Sequence, residues 1–437
     1  MTDGHDVLIE VDQNPYLAAG VRQVNAIVTV DVGGAPAGSR PPTVAQVLII
    51  DGSASMAYPH TKLPEAKRAL AAAIGALRDD TAFAVVVGTH TAEPVYPAGG
   101  GMAAATARTR QEALRAVDAL TADGHTRIGR WLTFAAELLA AQPADIRHVV
   151  LLTDGRNTDE HQDELRDALR ACAGAFVCDC RGIGRDWKGE ELLMIADALN
   201  GSADAVTDLH ALAGDFQAIT EKVMGKVLPD LAIRLWTPTG SKVRFVNQVH
   251  PRILDLTDRR TDVEPRVGEY PLGTWGAERR DYHVCVDVEP GDVGDEMLAG
   301  RISVVRGDRV YAEERILAIW TADEERSTGV SERVQHYTAQ TELADEIQGF
   351  TVARREGDEA LALARLRRAV QLADESGDAA TARSLERLVD VDDERGTVRL
   401  VRRPGDADAD LAVEVVTVRR TQTVREPGAA ARRDAGR

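Results

Sequence analysis

VAQVLIIDGSASM, residues 44–56, decides how the chain is read. Its first seven residues form an apolar run with the length and composition of a parallel strand buried on both faces. The run stops at Asp51, Ser53 and Ser55, which fall at every second position. Alternate residues of an extended segment point the same way, so one carboxylate and two hydroxyls converge beyond the carboxyl end of a strand, where open α/β sheets bind ligands. An all-oxygen set suits a hard cation such as Mg²⁺, which takes octahedral oxygen ligands at about 2.0 to 2.1 Å. The same residues also fit an Asp/Ser turn that caps the next segment.

Working outward, similar apolar runs return as AFAVVVG (82–88), HVVLLT (148–153) and AFVCDC (175–180), separated by helical stretches from Pro64 and near 109–120, 127–141, 190–199 and 209–226. In the first helix Leu63, Ala66, Leu70, Ile74 and Leu77 recur at three- and four-residue spacing, and Pro64 sits in the first turn, where a missing N–H costs little. The alternation predicts an α/β domain over 44–227 with a doubly wound, mostly parallel sheet. On both sides of it the period changes to two. Val24, Ala26, Val28, Val30 and Val32 alternate with other residues, as do Leu231/Ile233/Leu235, Tyr282/Val284/Val286/Val288 and the stretch 309–320. Residues 1–43 are therefore expected to contribute strands to an antiparallel β-sandwich at 228–322, with the α/β domain inserted between them. Ala360, Leu363, Leu366, Ala369 and Leu372, followed by the break SGD and by Ala382, Leu385 and Leu388, predict a helical hairpin region within 323–395. Short strands and a disordered tail are expected over 396–437.

Composition narrows the function classes. The chain has 437 residues, 44% of them hydrophobic, enough for cores in about three domains. Lys+Arg 52 against Asp+Glu 70 gives a net charge of −18, and aromatics make up 4%, so neither a phosphate-tracking surface nor a base-stacking platform is expected, and no nucleic-acid partner. No apolar run is long enough to cross a bilayer, and MTDGHDVLIEVDQNPY has neither a basic nor an apolar leader segment. A cytoplasmic protein without a membrane partner is the expectation. Cys172, Cys178, Cys180 and Cys285 lack paired zinc spacing and read as reduced thiols. Few lysines among many arginines, with abundant Ala, Gly and Val, suggest a GC-rich bacterial genome.

VLIIDGSASM resembles the first strand and the metal-ion-dependent adhesion site loop of the von Willebrand factor A domain. VVLLTDGRNTD (149–159) resembles the strand and loop that supply the family's second aspartate, here Asp154, and GHTRIGRWL (124–132) the loop that supplies its threonine, here Thr126. VCDCRGIGRDWKGEELLMIADALNGSA (177–203) is similar to its late strand, turn and helix. The likeness covers roughly 44–227 and departs from the pattern at His125, Arg127 and Trp131, where bulk near the threonine loop bears on ligand choice. Taken singly, Thr126 also fits a helix N-cap and Asp154–Gly155 an ordinary turn. The resemblance implies a Mg²⁺ site, with Mn²⁺ or Ca²⁺ as alternatives. Ser53 and Ser55 would bind directly, Asp51 and Asp154 partly through water, and Thr126 on arrival of a ligand. The implied act is binding of a protein partner that offers an Asp or Glu.

A catalytic reading finds no support in the motifs. Ser55 is not in a GxSxG elbow because residue 57 is Ala57, no HExxH or GK[ST] occurs, and Trp187 stands where GxGxxG needs its third glycine. No enzyme is expected. A second class is a signalling adaptor: VTVRRTQTVREPG (416–428) places Thr421 and Thr423 among arginines as candidate phosphorylation sites. Resemblance to bacterial cytosolic relatives implies kinase, phosphatase or forkhead-associated partners for such a chain, or an AAA+ ATPase of the MoxR or chelatase kind.

Overall fold

The computed structural model describes residues 6–34, 38, 40–155, 157, 159–184, 187–206, 208–329, 331–376, 378–386, 388–392, 397–400 and 415. Thr421 and Thr423 lie outside the described residues, as does most of the expected tail. The chain forms two compact units: one holds residues 40–229, and the other combines the residues before 40 with 230–400.

The first unit is built on the apolar runs. Its strands lie in the order Ala203–Val206, Val177–Ile183, Ile146–Thr153, Val44–Asp51, Ala82–Gly88, Ala92–Tyr96. The first five are mutually parallel and the last is antiparallel, with Ala103–Ala104 also pairing with Ala82–Gly88. Because the Val44–Asp51 strand is central, all eight of its residues are buried. Val47 and Ile49 face a core shared with the helices Ile128–Ala140, Gln162–Cys172 and Gly189–Ala198, whereas Leu48 and Ile50 face Lys62–Ala76 and Leu212–Met224. This is the doubly wound arrangement that the sequence pattern predicts. Its short edge strand Ala92–Tyr96, which contains Pro94, had no place in that prediction. Proline is tolerated at a sheet edge, where the ladder lacks one partner.

Period-two segments make the second unit. Five strands, Val7–Asp12, Gln23–Val32, Glu278–Asp287, Lys242–His250 and Leu254–Asp255, form one antiparallel sheet. Gln23–Val32 pairs with Glu278–Asp287 in a register that sets Val24 beside Val286 and Val28 beside Tyr282. A six-stranded sheet runs Thr261–Glu264, Val267–Trp275, Leu228–Trp236, Glu296–Arg306, Arg309–Thr321, Tyr16–Ala18, and its last pairing is parallel, so this part is mixed where a purely antiparallel sandwich was expected. Four described helices, Glu324–Thr328, Glu332–Glu356, Glu359–Glu375 and Ala379–Glu386, follow, and Val389–Asp392 pairs with Thr397–Leu400.

The Gln23–Val32 strand is buried on both faces. Ile27, on the face opposite Val28, packs with Val249, Val334 and Tyr337 beneath the Glu332–Glu356 helix. That helix is tied down by fully buried Asp281, which accepts hydrogen bonds from Thr29 Oγ1 at 2.7 Å and Tyr337 Oη at 2.5 Å and pairs with Arg333 at 2.8 Å. Burial alone would raise the carboxyl's pKa, but the hydrogen bonds from Tyr337 and Thr29 and the Arg333 charge outweigh it and hold Asp281 below the usual carboxylate range. A carboxyl with a lowered folded-state pKa contributes stability above its ordinary value and loses that contribution as the pH falls through the folded-state value. Removing one partner of a buried pair leaves the other unmatched, so Asp281→Ala is expected to cost about 3–5 kcal/mol in urea denaturation at neutral pH. A loss under about 1 kcal/mol would show that the helix is held by apolar contacts alone.

Candidate metal centre

The two central parallel strands end side by side. Ile50 is in register with Leu152, so the chain leaves the sheet at Asp51 and at Thr153–Asp154 next to each other. Asp51 is fully buried. Its Oδ1 accepts the Ser53 N–H at 2.8 Å, the bond of an Asp/Ser turn, and its Oδ2 accepts Thr153 Oγ1 at 2.6 Å. Both oxygens of the carboxylate are thereby fixed. Ser53 Oγ lies 2.9 Å from Ser55 Oγ, and Ser55 Oγ donates to Asp154 Oδ1 at 2.7 Å. Asp154, also fully buried, receives Lys62 Nζ on Oδ2 at 2.5 Å. It is therefore no solvated turn residue.

Thr126 reaches the same place from a third loop. That loop is pinned to the first: Asp123 N–H donates to Gly52 O at 2.7 Å and Ala54 N–H to Gly124 O at 3.0 Å. Thr126 is not the cap of the following helix. The first N–H groups of Ile128–Ala140 are taken by Asn157 Oδ1 (3.1 Å, from Ile128) and Glu160 Oε2 (2.8 Å, from Gly129). Thr126 is buried, and a methyl group placed on Gly155 would sit 3.4 Å from Thr126 Oγ1, 3.5 Å from Ser55 Oγ and 3.8 Å from Asp51 Oδ2. The Asp154–Gly155 loop thus lies against oxygens of both other loops.

All five residues singled out in the sequence come together here. Of the bulky neighbours, Trp131 points away into the core, fully buried, with Nε1 donating to Thr89 O at 2.6 Å. His125 is largely exposed, and Arg127 reaches Glu164 at 3.3 Å, so neither fills the cluster. Sequence reasoning missed Thr153 and Lys62. Thr153 could have been found from strand pairing, as the neighbour of Asp51 across the sheet. Lys62 precedes Ala66 by four residues and so shares the helix's buried stripe with Ala66, Ala69 and Ala73, but the helix was expected to start only at Pro64.

The donor set is wholly hydroxyl and carboxylate, with no sulfur or imidazole, which fits a hard divalent cation. Among the described residues no group of three or more His, Cys, Asp or Glu side chains is placed to hold a metal, so a site here depends on the hydroxyls. Burial raises the Asp51 pKa from 3.8 to about 6, with the nearby Asp154 charge adding to it and the bonds from Ser53 and Thr153 opposing it. A carboxyl with a raised folded-state pKa binds its proton more tightly when folded. It costs stability above about pH 6 and ceases to do so below about pH 4. In chelator at about pH 8, Asp51→Asn is expected to be the more stable protein by up to roughly 3 kcal/mol, and the difference is expected to close toward about pH 4. Urea denaturation of both proteins across that range checks this, and a wild type more stable at both ends would contradict it.

The family model described as von Willebrand factor type A domain matches residues 45–205, which span the strands and loops of the site, and one described as von Willebrand factor type A C-terminal domain matches residues 371–417. A solved structure described as von Willebrand factor type A from Catenulispora acidiphila is 43% identical, covers 96% of this chain and 97% of its own, and superposes with a TM-score of 0.90. The ArnB paralog VWA2 from Sulfolobus acidocaldarius covers 97% of this chain and 100% of its own at 13% identity and a TM-score of 0.55, a likeness of fold alone. No curated protein matches the chain. Among the described residues no helix is long and apolar enough to cross a membrane. The near-complete match to the Catenulispora protein, with the match of the α/β unit to the domain model, shows that the chain belongs to the von Willebrand factor type A family, whose domains are in general protein-interaction modules.

Proposed function

We propose that the α/β unit is a divalent-cation-dependent module that binds a carboxylate of a partner protein. The observation that supports this best is the convergence of Asp51, Ser53, Ser55, Thr126 and Asp154 from three loops: Ser53 N–H bonds Asp51, Ser53 and Ser55 hydroxyls touch, Ser55 bonds Asp154, and Thr126 and Ser55 both lie against Gly155. In this reading Ser53 and Ser55 hold the ion through Oγ, Asp51 and Asp154 act through water, and Thr126 joins when the partner arrives. Bound Mg²⁺ would supply an under-neutralised Lewis-acidic position open to an external oxygen anion. Mg²⁺ or Mn²⁺ is favoured over Ca²⁺, which takes more oxygens at longer distances than two small hydroxyls provide.

The chain's own residues do the rest. Thr153 and the Ser53 N–H orient Asp51, so its carboxylate does not need to reorganise when the site is used. Binding rather than catalysis is the act proposed, because the Ser55 hydroxyl donates to Asp154, a carboxylate engaged with Lys62, and not to a base free to take its proton.

Calorimetric titration with Mg²⁺ tests this reading. The wild type is expected to bind one ion, Ser53→Ala to bind at least about tenfold more weakly, and acetate, as a minimal carboxylate, to tighten Mg²⁺ binding by the same factor that Mg²⁺ tightens acetate binding. Equal heats for wild type and Ser53→Ala would remove the proposal.

A further inference from the structure

The cluster contains a charge that the five-residue reading leaves unused. Lys62 opens the Lys62–Ala76 helix, yet its side chain is 5% exposed and ends on Asp154, whose side chain is 0% exposed. Its Nζ lies 2.5 Å from Asp154 Oδ2 and 3.4 Å from the Ser55 carbonyl oxygen, so it touches two of the three loops that make the site. Space for it is kept by Gly184, which follows the Val177–Ile183 strand in a left-handed conformation (φ +76°). A methyl group on Gly184 would come within 2.8 Å of Lys62 Cε and 3.1 Å of Nζ. Burying an ammonium is costly unless it is matched, and here the match is one of the two carboxylates that the proposed function assigns to the cation. The ammonium takes Oδ2 and the Ser55 hydroxyl takes Oδ1, so both oxygens of Asp154 are already engaged.

The formal charges decide what such a residue does. Asp51 and Asp154 carry two negative charges and Lys62 one positive, a sum of −1 that a divalent ion turns into +1 and one external carboxylate returns to zero. Without Lys62 the sums are −2, 0 and −1, so the loaded site would be neutral before a partner arrived and would bury an excess negative charge after it.

We propose that Lys62 is the specificity-determining residue of this site: its ammonium on Asp154 Oδ2 weakens the hold on the divalent cation and makes the loaded site depend on an external anion. The proposal rests on the cation-dependent reading above and deepens it. Lys62 holds Asp154 in place while no ion is bound, since two uncompensated carboxylates within one buried cluster would repel each other. It keeps the loaded site cationic, so a carboxylate is drawn in by a full net charge and not by an open coordination position alone. A site without this ammonium would hold metal more firmly and discriminate less between an anionic ligand and water.

The test is calorimetric titration of the full chain with Mg²⁺, with and without acetate, in wild type and Lys62→Met. Lys62→Met is expected to bind Mg²⁺ about tenfold more tightly or better, because a like charge within the cluster is gone, and to lose most of the acetate enhancement that wild type shows. In chelator its melting temperature is expected to fall, because Asp154 loses its ion partner. General damage to the fold lowers metal affinity, so the opposite movement of metal and anion affinities is the signature of the proposed role. If Lys62→Met does not fold, Lys62→Gln makes the same charge change while keeping a donor for Asp154, and the same two movements are expected. Wild type and variant binding Mg²⁺ with equal affinity and equal response to acetate would overturn the role of Lys62 and leave the cation-dependent reading standing. Absence of Mg²⁺ binding in both proteins would overturn that reading and this proposal with it.

Discussion

Two carboxylates buried in one cluster are the constraint around which the α/β unit is organised. Asp51 and Asp154 are both fully excluded from solvent at the ends of neighbouring parallel strands, and such groups must be matched by hydrogen bonds, by a counter-charge or by a bound cation. Hydrogen bonds and a counter-charge both have residues in the structure. Thr153 and the Ser53 N–H serve Asp51, Ser55 and Lys62 serve Asp154, and the remaining hydroxyl of Thr126 lies against Gly155. Burial still raises the Asp51 pKa to about 6, so hydrogen bonds alone do not fully offset its desolvation.

The scaffold makes the convergence possible because parallel strands deliver their carboxyl ends to one rim. Ile50 and Leu152 in register fix how far apart Asp51 and Asp154 emerge, and the interlocked backbone bonds of Gly52 with Asp123 and of Ala54 with Gly124 bring in the threonine loop. Apolar packing on both faces of the Val44–Asp51 strand holds this rim rigid.

Much of this was legible in the sequence. A seven-residue, largely apolar run ending in DxSxS and alternating with helical stretches fits a central parallel strand, and such a strand ends at the sheet's rim. The period-two stretch at 23–32 likewise marked a strand of the other kind, which pairs with Glu278–Asp287. What the pattern hid has specific causes. Ile27 and Thr29 looked like a solvent face, but the Glu332–Glu356 helix covers them through a contact some 300 residues away in the chain, which no local window reports. Ala92–Tyr96 is short and carries Pro94, so it gives no strand signal. Lys62 reads as an exposed cation near a helix start, and only the position of Asp154 on a neighbouring strand explains its burial. In each case the deciding partner is distant in sequence.

The family assignment and the geometry meet at one point, a rim of buried oxygens on a protein-interaction fold. Whether that rim grips a metal is settled most directly by anomalous diffraction from crystals grown with Mn²⁺. The account predicts a single anomalous peak among the side-chain oxygens of Ser53, Ser55 and Thr126, with Asp51 and Asp154 in the surrounding shell. A well-ordered site with no peak there, or with the ion bound elsewhere on the chain, would contradict it.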